Sequence, residues 1–284
     1  MKEITFKKGC LKFAVIGHVE WINFLMVDSL PNAGGISHAN KSFEEVAGGG
    51  AVIAKTLKEL TYNEVHFFTS LGRDYYGDRS FKALKSLGLK VHVAWREFPT
   101  RKGFSLIDNN GDRAITIIGD RLSPKHQDNL NWNILNEVDG IFITAGDKEL
   151  FMKSRQAKVV CTTPRVGIEI INKSNILLDA LISSNLDPGE KFSSSELRLK
   201  PRLIIKTEGD QGGIVIPGGR YNAIKNDNKE VDSYGCGDSF AAGVLFGLSS
   251  NWDIDDTINL GKVLGRNCIE NFGPYPNMDN IIKN

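Results

Sequence analysis

Short apolar runs alternate with amphipathic stretches along most of this chain. The runs are continuous rather than alternating and end at turn-forming residues; they cover residues 13–16, 65–68, 141–144, 159–161, 181–183 and 203–205. Continuous apolar strands of this kind predict a parallel sheet that is buried on both faces. Between them, residues 51–60 and 78–87 have the spacing of helices, and Gly88 is typical of a helix stop. The alternation predicts a doubly wound α/β fold with helices on both faces, whose ligands lie outside the carboxyl ends of the strands.

Two regions break this rhythm and predict a second, smaller sheet. Residues 20–46 are long, polar and glycine-bearing, while two extended stretches, 104–107 and 114–118, flank the turn-forming residues 109–111. No interdomain linker, low-complexity tract or internal repeat is visible. We therefore expect one α/β domain over residues 1–284, with lid segments inserted at about 20–46 and 96–118.

Composition and charge narrow the classes of partner. The chain has 284 residues and a net charge of +1, which argues against duplex nucleic acid or an anionic membrane as a dominant partner. Its four cysteines contain no C-x-x-C pair, as expected for reduced thiols rather than a disulfide framework or a zinc site. No apolar stretch reaches the length of a membrane span, and the first residues lack the apolar core of a signal peptide. We expect a cytoplasmic protein.

The segment 231–240 carries the most chemical information. Two glycines flank Cys236 and lead into Asp238, just before an apolar helix predicted over residues 240–248. Glycines allow successive backbone N–H groups to point into one concavity, and the positive end of a helix adds partial charge that favours phosphate oxygens. This pattern indicates an anion site with an acid–base group beside it. A simpler interpretation stays open, in which Asp238 only caps the helix.

This segment resembles the second signature of the ribokinase-like (PfkB) carbohydrate kinase family, D-T-x-G-A-G-D-x-F. Five positions match, and Ser233 and Cys236 differ from the pattern by small side chains; the matching residues are Asp232, Gly235, Gly237, Asp238 and Phe240. The resemblance implies that Asp238 is the general base. It also implies that Gly235, Cys236 and Gly237 form the anion hole.

Further motifs follow the family in the same order along the chain. Gly48 and Gly49 stand where the family places a double glycine against the sugar. The first signature, G-x-D-x-x-G, is matched loosely by Gly72, Asp74 and Gly77, although helix capping would also explain Asp74. The family's T-x-G-x-x-G run is matched by Thr207, Gly209 and Gly212. By resemblance, these last three residues contact the nucleotide, together with Asn185 and Asp232.

The chain also departs from the family pattern at three places. The segment after Gly17 lacks the aspartate that many members use to bind sugar hydroxyls, and Glu20 is the available substitute. The asparagine of G-G-x-x-x-N is absent. The N-x-x-E motif, which organises magnesium-bound water, is replaced by Asn185, Asp187 and Glu190 at altered spacing. By resemblance, Glu20 and the double glycine bind the acceptor, while Asp187 and Glu190 hold the metal indirectly.

The resemblance implies ATP-dependent phosphorylation of a primary hydroxyl on a sugar or sugar-like acceptor, with ATP and Mg²⁺ as cofactors. It leaves open a monovalent cation near the second signature and a homodimer formed through the lid. The competing hypothesis is a catalytically weak sugar- or nucleoside-binding regulatory protein on the same fold. The departures favour that alternative, whereas the intact Gly235 to Asp238 run favours the kinase.

Other enzyme classes fit the sequence less well. The chain has neither a G-x-x-x-x-G-K-[ST] loop nor a G-x-S-x-G elbow, and residues 235–240 fail the G-x-G-x-x-G dinucleotide pattern at its last position.

Overall fold

The computed structural model describes residues 6–225, 230–279 and 281–283. In chain order the strands are β1 (Phe6–Lys7), β2 (Phe13–Ile16), β3 (Glu20–Val27), β4 (Ala39–Ala47), β5 (Val65–Gly72), β6 (Lys90–Arg96), β7 (Lys102–Ile107), β8 (Arg113–Ile118), β9 (Gly140–Ile143), β10 (Val159–Thr162), β11 (Ala180–Ser184), β12 (Leu203–Thr207), β13 (Gly213–Ile216), β14 (Gly219–Tyr221) and β15 (Ile282–Lys283). The α-helices are α1 (Gly49–Leu60), α2 (Tyr75–Ser86), α3 (Lys148–Ser154), α4 (Ile168–Ser174), α5 (Cys236–Ser249) and α6 (Ile254–Ile269).

Nine strands form the main sheet in the order β14-β13-β12-β11-β10-β9-β2-β5-β6. Every pair from β12 to β6 is parallel, and β13 and β14 add an antiparallel hairpin at one edge. The predicted doubly wound, mostly parallel sheet is therefore confirmed, and each predicted apolar run overlaps one of its strands. The edge hairpin was not predicted; its two short strands are joined by a turn at Pro217 and Gly218.

Helices cover both faces of this sheet, as the sequence predicts. Along β2, Phe13 and Val15 pack into one apolar cluster, and Ala14 and Ile16 pack into another on the opposite face. This follows from the alternation of side chains along a strand, and it explains why β2 has no polar position. α5 is buried against the first face, where it packs on α6 so closely that a Cβ at Gly243 would lie 2.9 Å from the Cα of Gly261.

The predicted small sheet is also present, in the order β4-β3-β7-β8. β3 pairs antiparallel with β4 and parallel with β7, and β7 pairs antiparallel with β8. One face is anchored because Ile22 and Phe24 pack on Tyr234. β8 forms an edge of this sheet and is largely exposed. That the sheet is a lid inserted in a single domain stays a prediction.

Three helices begin earlier than the sequence predicts, and α1 does so by two residues, at Gly49 rather than at residue 51. α2 begins at Tyr75 because Asp74 accepts a hydrogen bond from the N–H of Gly77 and so caps the helix. α5 begins at Cys236 rather than at residue 240, because Gly235 adopts a left-handed conformation (φ 80°) that positions the polar residues after it in the first helical turn. None of the helices in the described ranges is long and apolar enough to cross a membrane.

Candidate active site

Backbone segments from three elements approach one another closely where β2 ends. A Cβ at Gly17, directly after β2, would lie 2.7 Å from the Cα of Gly50. A Cβ at Gly49 would lie 2.7 Å from Oδ1 of Asp238. Any larger residue at these positions would displace its neighbour, so the glycines let the start of α1 lie against both β2 and the start of α5.

Asp238 is the third residue of α5 and lies next to this glycine run. The helix cap is Gly235, so the simpler interpretation of Asp238 as a helix cap is wrong. Among the described residues its carboxylate accepts no hydrogen bond. Burial raises the pKa of Asp238 to about 7; Glu190 and Glu20 add to the rise, and Arg165 opposes it. A carboxylate with this pKa can exchange a proton at neutral pH, as a general base must.

The first turn of α5 has free backbone donors. Ser239 donates its N–H to the carbonyl of Gly235, but in the described part of the chain the N–H groups of Gly237 and Asp238 form no backbone hydrogen bond. Gly237 is exposed, and a Cβ added there would meet nothing within 4 Å. The predicted anion-hole residues therefore surround an open helix N-terminus, which can accept phosphate oxygens.

Glu20 is brought into the site by β3 and is only 6% exposed. Its Oε2 accepts a hydrogen bond from the hydroxyl of Tyr234 (3.1 Å), and that hydroxyl accepts one from the N–H of Gly48 (3.2 Å). Its Oε1 lies 2.9 Å from Nε of Arg101 in an ion pair without hydrogen-bond alignment. Glu20 and Gly48, predicted to bind the acceptor, thus lie together, and Tyr234 joins them.

His18 lies beside Glu20 and is also 6% exposed. Its Nδ1 is 3.3 Å from Oγ1 of Thr144, and its Nε2 is 3.8 Å from Oε1 of Glu20. Burial lowers the pKa of His18 well below its usual value, and nearby arginines lower it further. His18 is therefore neutral at physiological pH and can both donate and accept a hydrogen bond.

Three arginines that the sequence did not single out surround these residues. Arg101 directly precedes β7, Arg121 follows β8, and Arg165 follows β10. Nη1 of Arg121 donates to the carbonyl of Arg165 (3.2 Å), while its Nε is buried without a hydrogen-bond partner among the described residues. Burial lowers the pKa of Arg121, with further lowering by Arg101 and Arg165. The site therefore holds cations that the protein itself leaves partly unsatisfied.

The altered N-x-x-E region is organised around Arg165. Nε of Arg165 donates to Oε1 of Glu190 (2.8 Å), and Nη2 donates to Asp187. The other oxygen of Glu190 accepts the N–H of Ser184 (2.6 Å). Carboxylate oxygens are suitable Mg²⁺ ligands, and the second lone pairs of these oxygens remain available to water. The donor set fits a Mg²⁺ ion held through water, not one enclosed by protein ligands.

The predicted nucleotide-contacting residues lie at the carboxyl ends of β11 and β12. Nδ2 of Asn185 donates to Glu208 (2.8 Å), and its N–H donates to the carbonyl of Thr207 (2.9 Å). Gly209 and Gly212 have φ values of 59° and 83°, which glycine adopts without strain. These residues form one loop region on the same edge of the sheet as Asp238. Their contact with a nucleotide stays a prediction.

The carboxylates of Asp232 and Asp74 both accept hydrogen bonds from backbone N–H groups. Asp232 is 1% exposed, and its two oxygens accept the N–H groups of Tyr234 (2.8 Å) and Gly273 (3.2 Å). The predicted cofactor contact of Asp232 is untested, and its observed bonds fix the turn before α5. Asp74 caps α2 and also accepts the N–H of Thr100 (2.7 Å), in agreement with the capping interpretation.

An open depression of about 510 Å³ beside α4 shares no residue with this site. It is lined by Ile168, Glu169, Asn172, Lys173, Glu196 and Arg198. None of the groups that lie around Asp238 lines this depression, so we place the candidate active site at Asp238 and not in the depression.

The chain is similar to known proteins along nearly its whole length. The model of the pfkB family of carbohydrate kinases matches residues 11–164 and 192–281. A ribokinase of Lactococcus lactis is 27% identical over 296 residues, covering 95% of this chain and 94% of the relative. An adenosine kinase of Saccharomyces cerevisiae is 23% identical over 275 residues, covering 81% and 80%. The solved structure of a ribokinase from Thermotoga maritima superposes with a TM-score of 0.72 at 20% identity, covering 95% of this chain and 97% of the other.

Proposed function

This chain belongs to the pfkB family of carbohydrate kinases, and we propose that it transfers the γ-phosphoryl group of ATP to a primary hydroxyl of a sugar or sugar-like acceptor. The observation that carries this proposal is the carboxylate of Asp238, which lies at the open N-terminus of α5 with a pKa raised to about 7. A base beside free backbone donors is what phosphoryl transfer to a hydroxyl requires.

In the proposed reaction, Asp238 accepts the proton of the acceptor hydroxyl. The hydroxyl oxygen forms a bond to the γ-phosphorus as the bond between that phosphorus and the bridging oxygen of ADP breaks. The N–H groups of Gly237 and Asp238 stabilise the charge on the transferring group, together with the helix N-terminus formed by Gly235 and Cys236. Catalysis then depends on positioning and charge neutralisation, since the protein forms no covalent bond.

The acceptor is oriented on the other side of Asp238. Glu20 accepts hydrogen bonds from acceptor hydroxyls, while Gly48 and Gly49 let the acceptor approach the backbone. The small sheet covers the acceptor and excludes water, which would otherwise compete for the phosphoryl group.

Nucleotide binding is assigned to the loops at the ends of β11 and β12. Asn185, Thr207, Gly209 and Gly212 line this region, and Asp232 positions the adjoining turn. When bound, Mg²⁺ neutralises charge on the nucleotide phosphates. Asp187 and Glu190 would hold the ion indirectly, through water molecules, and Arg165 sets the position of both carboxylates. A monovalent cation and a homodimer through the small sheet remain expectations.

The direct test is incubation with ATP, Mg²⁺ and a panel of sugars, sugar phosphates and nucleosides. ADP release is measured above the background without acceptor, and nucleotide affinity is measured separately. We expect at least one acceptor to stimulate ADP release. We also expect Asp238→Asn to lower this turnover by roughly 10²-fold or more while nucleotide affinity stays within a few-fold.

The opposite outcomes are equally informative. Turnover near the wild-type level in Asp238→Asn would remove Asp238 from the mechanism. If no acceptor stimulates ADP release while nucleotide and sugar still bind, the result would favour the alternative, a regulatory protein on the same fold.

A further inference from the structure

We propose that the acceptor carries a second, anionic group, a phosphate or a carboxylate, which Arg101 and Arg121 bind at the base of the small sheet. This inference rests on the proposed function, because it names the class of acceptor for the same site. Arg101 is paired with Glu20, the residue proposed to bind the acceptor, and Arg121 bonds to the carbonyl of Arg165 and lowers the pKa of Asp238.

The balance of charged partners supports an anionic ligand. Arg165 is already paired with Asp187 and Glu190. Among the described residues, Arg101 has one carboxylate within ion-pair distance, that of Glu20, whose other oxygen is bonded to Tyr234. In the described ranges, no carboxylate lies within ion-pair distance of Arg121. His18 is uncharged at neutral pH because burial lowers its pKa, so it adds no positive charge to this part of the site.

The unused donors point to the same conclusion. A guanidinium group has five N–H donors, and the only hydrogen bond of Arg121 in the described part of the chain is the one to the carbonyl of Arg165. Its Nε is buried and unpaired, and Nε of Arg101 lies beside Glu20 without hydrogen-bond alignment. Buried cations that lack partners are destabilising. A bound oxyanion would satisfy both groups, and guanidinium forks match the geometry of phosphate and carboxylate.

The backbone brings the chain segments of the two arginines together. Lys102 of β7 pairs with Ile118 of β8, and a Cβ added at Gly119, directly after β8, would lie 3.9 Å from the Cα of Arg101. The start of β7 and the chain after β8 therefore meet at one corner of the small sheet. Arg101 pairs with Glu20 at this corner, and Arg121 lowers the pKa of Asp238, so the corner borders the proposed acceptor site. An acceptor of sugar size could therefore present its hydroxyl to Asp238 and its anionic group to this corner.

The test compares matched acceptors that differ only in the anionic group and keep a primary hydroxyl free. The pairs are ribose with ribose 1-phosphate, fructose with fructose 6-phosphate, and sorbitol with gluconate. Binding is measured by calorimetry without nucleotide, and kcat and KM are measured with ATP and Mg²⁺. The variants are Arg121→Gln, Arg121→Lys and Arg101→Gln. Arg202→Gln is the matched control, since Arg202 is exposed at the opposite end of β12. Circular dichroism establishes that each variant folds.

We expect the anionic member of at least one pair to bind more tightly and to react with the higher kcat/KM. Arg121→Gln should weaken its binding by about 10- to 100-fold, as expected for loss of a charged hydrogen bond, with the KM for ATP changed less than about two-fold. Arg121→Lys should restore part of the affinity, and Arg202→Gln should behave as wild type. Preference for gluconate would identify a carboxylate acceptor, and preference for a sugar phosphate would identify a phosphate.

Three results would overturn the inference. The first is stronger binding of the neutral members, with no effect of Arg121→Gln. The second is a loss of ATP affinity in Arg121→Gln without loss of acceptor affinity, which would assign the guanidinium to the nucleotide. The third is no binding of any anionic member. Kinase activity on neutral acceptors would leave the proposed function intact, whereas binding of anionic sugars without turnover would contradict only the proposed function.

Discussion

Replacing Asp238 by asparagine should remove catalysis and at the same time stabilise the fold at alkaline pH. The pKa of Asp238 is raised from 3.8 to about 7, mainly because the carboxylate is buried. Above pH 7 the carboxylate is charged in both folded and unfolded states, and the folded state bears the cost of desolvation. Asparagine has a similar shape without that charge, so the variant avoids this cost.

The sign and size of the effect follow from linkage. A raised folded-state pKa means that the folded protein takes up a proton at higher pH than the unfolded chain, so the contribution of the carboxyl group to stability falls as pH rises toward 7. Between pH 5 and pH 7 the change is about 1.36 kcal/mol per pH unit, or roughly 2–3 kcal/mol in total. For a chain of this size, this corresponds to about 4–12 °C in melting temperature.

Melting temperatures of wild type and Asp238→Asn at pH 5 and pH 8 measure this difference. The advantage of the variant should be small at pH 5 and larger at pH 8 by the amount above. Asp255→Asn is the control, because it removes a carboxylate that is exposed on the surface of α6. An equal melting-temperature difference at both pH values would show that Asp238 titrates like a solvated carboxyl group and would refute the assignment of a poised base.

Three further outcomes follow from the geometry of the site. The value of kcat/KM should fall on the acid side of its pH profile as Asp238 is protonated. Glu190→Gln should move this acid limb to lower pH, because Glu190 raises the pKa of Asp238. An acid limb at the same pH in the variant would exclude this coupling between Glu190 and Asp238. Gly49→Ala should lower kcat by roughly 10²-fold, because its Cβ would lie 2.7 Å from the Asp238 carboxylate, and wild-type turnover would show that the two do not approach in solution. Tyr234→Phe removes the hydroxyl that bonds Glu20, so urea denaturation should show a loss of about 1–3 kcal/mol, and unchanged unfolding would contradict this contact.

The strands of the main sheet and the presence of the second sheet could be predicted from the sequence. Continuous apolar runs such as β2 have no polar position and can only be buried on both faces. The N-terminus of α5 was predicted too late, because Cys236 to Asp238 carry no helical apolar pattern. That helix start depends on the left-handed conformation of Gly235, which a sequence pattern does not specify.

The candidate site was predictable only in part. The positions of Gly49 and Asp238 were indicated by local motifs, and the structure brings them together. Arg101 and Arg121 were not predicted, because each stands beside a strand of the small sheet, where exposed arginines are common. Their role in the site depends on a tertiary arrangement that brings the start of β7 and the end of β8 near the end of β2, and no local spacing encodes it.

The central claim is that Asp238 supports phosphoryl transfer from ATP to an acceptor hydroxyl. The most direct measurement is a single-turnover experiment with enzyme in excess over γ-labelled ATP, in which label on the acceptor is followed for wild type and Asp238→Asn. We expect wild type to form labelled acceptor, and Asp238→Asn to do so at least about 10²-fold more slowly with unchanged ATP binding. Label transfer at equal rates in the two proteins would contradict the role of Asp238, and absence of transfer in wild type with every acceptor would contradict the kinase itself.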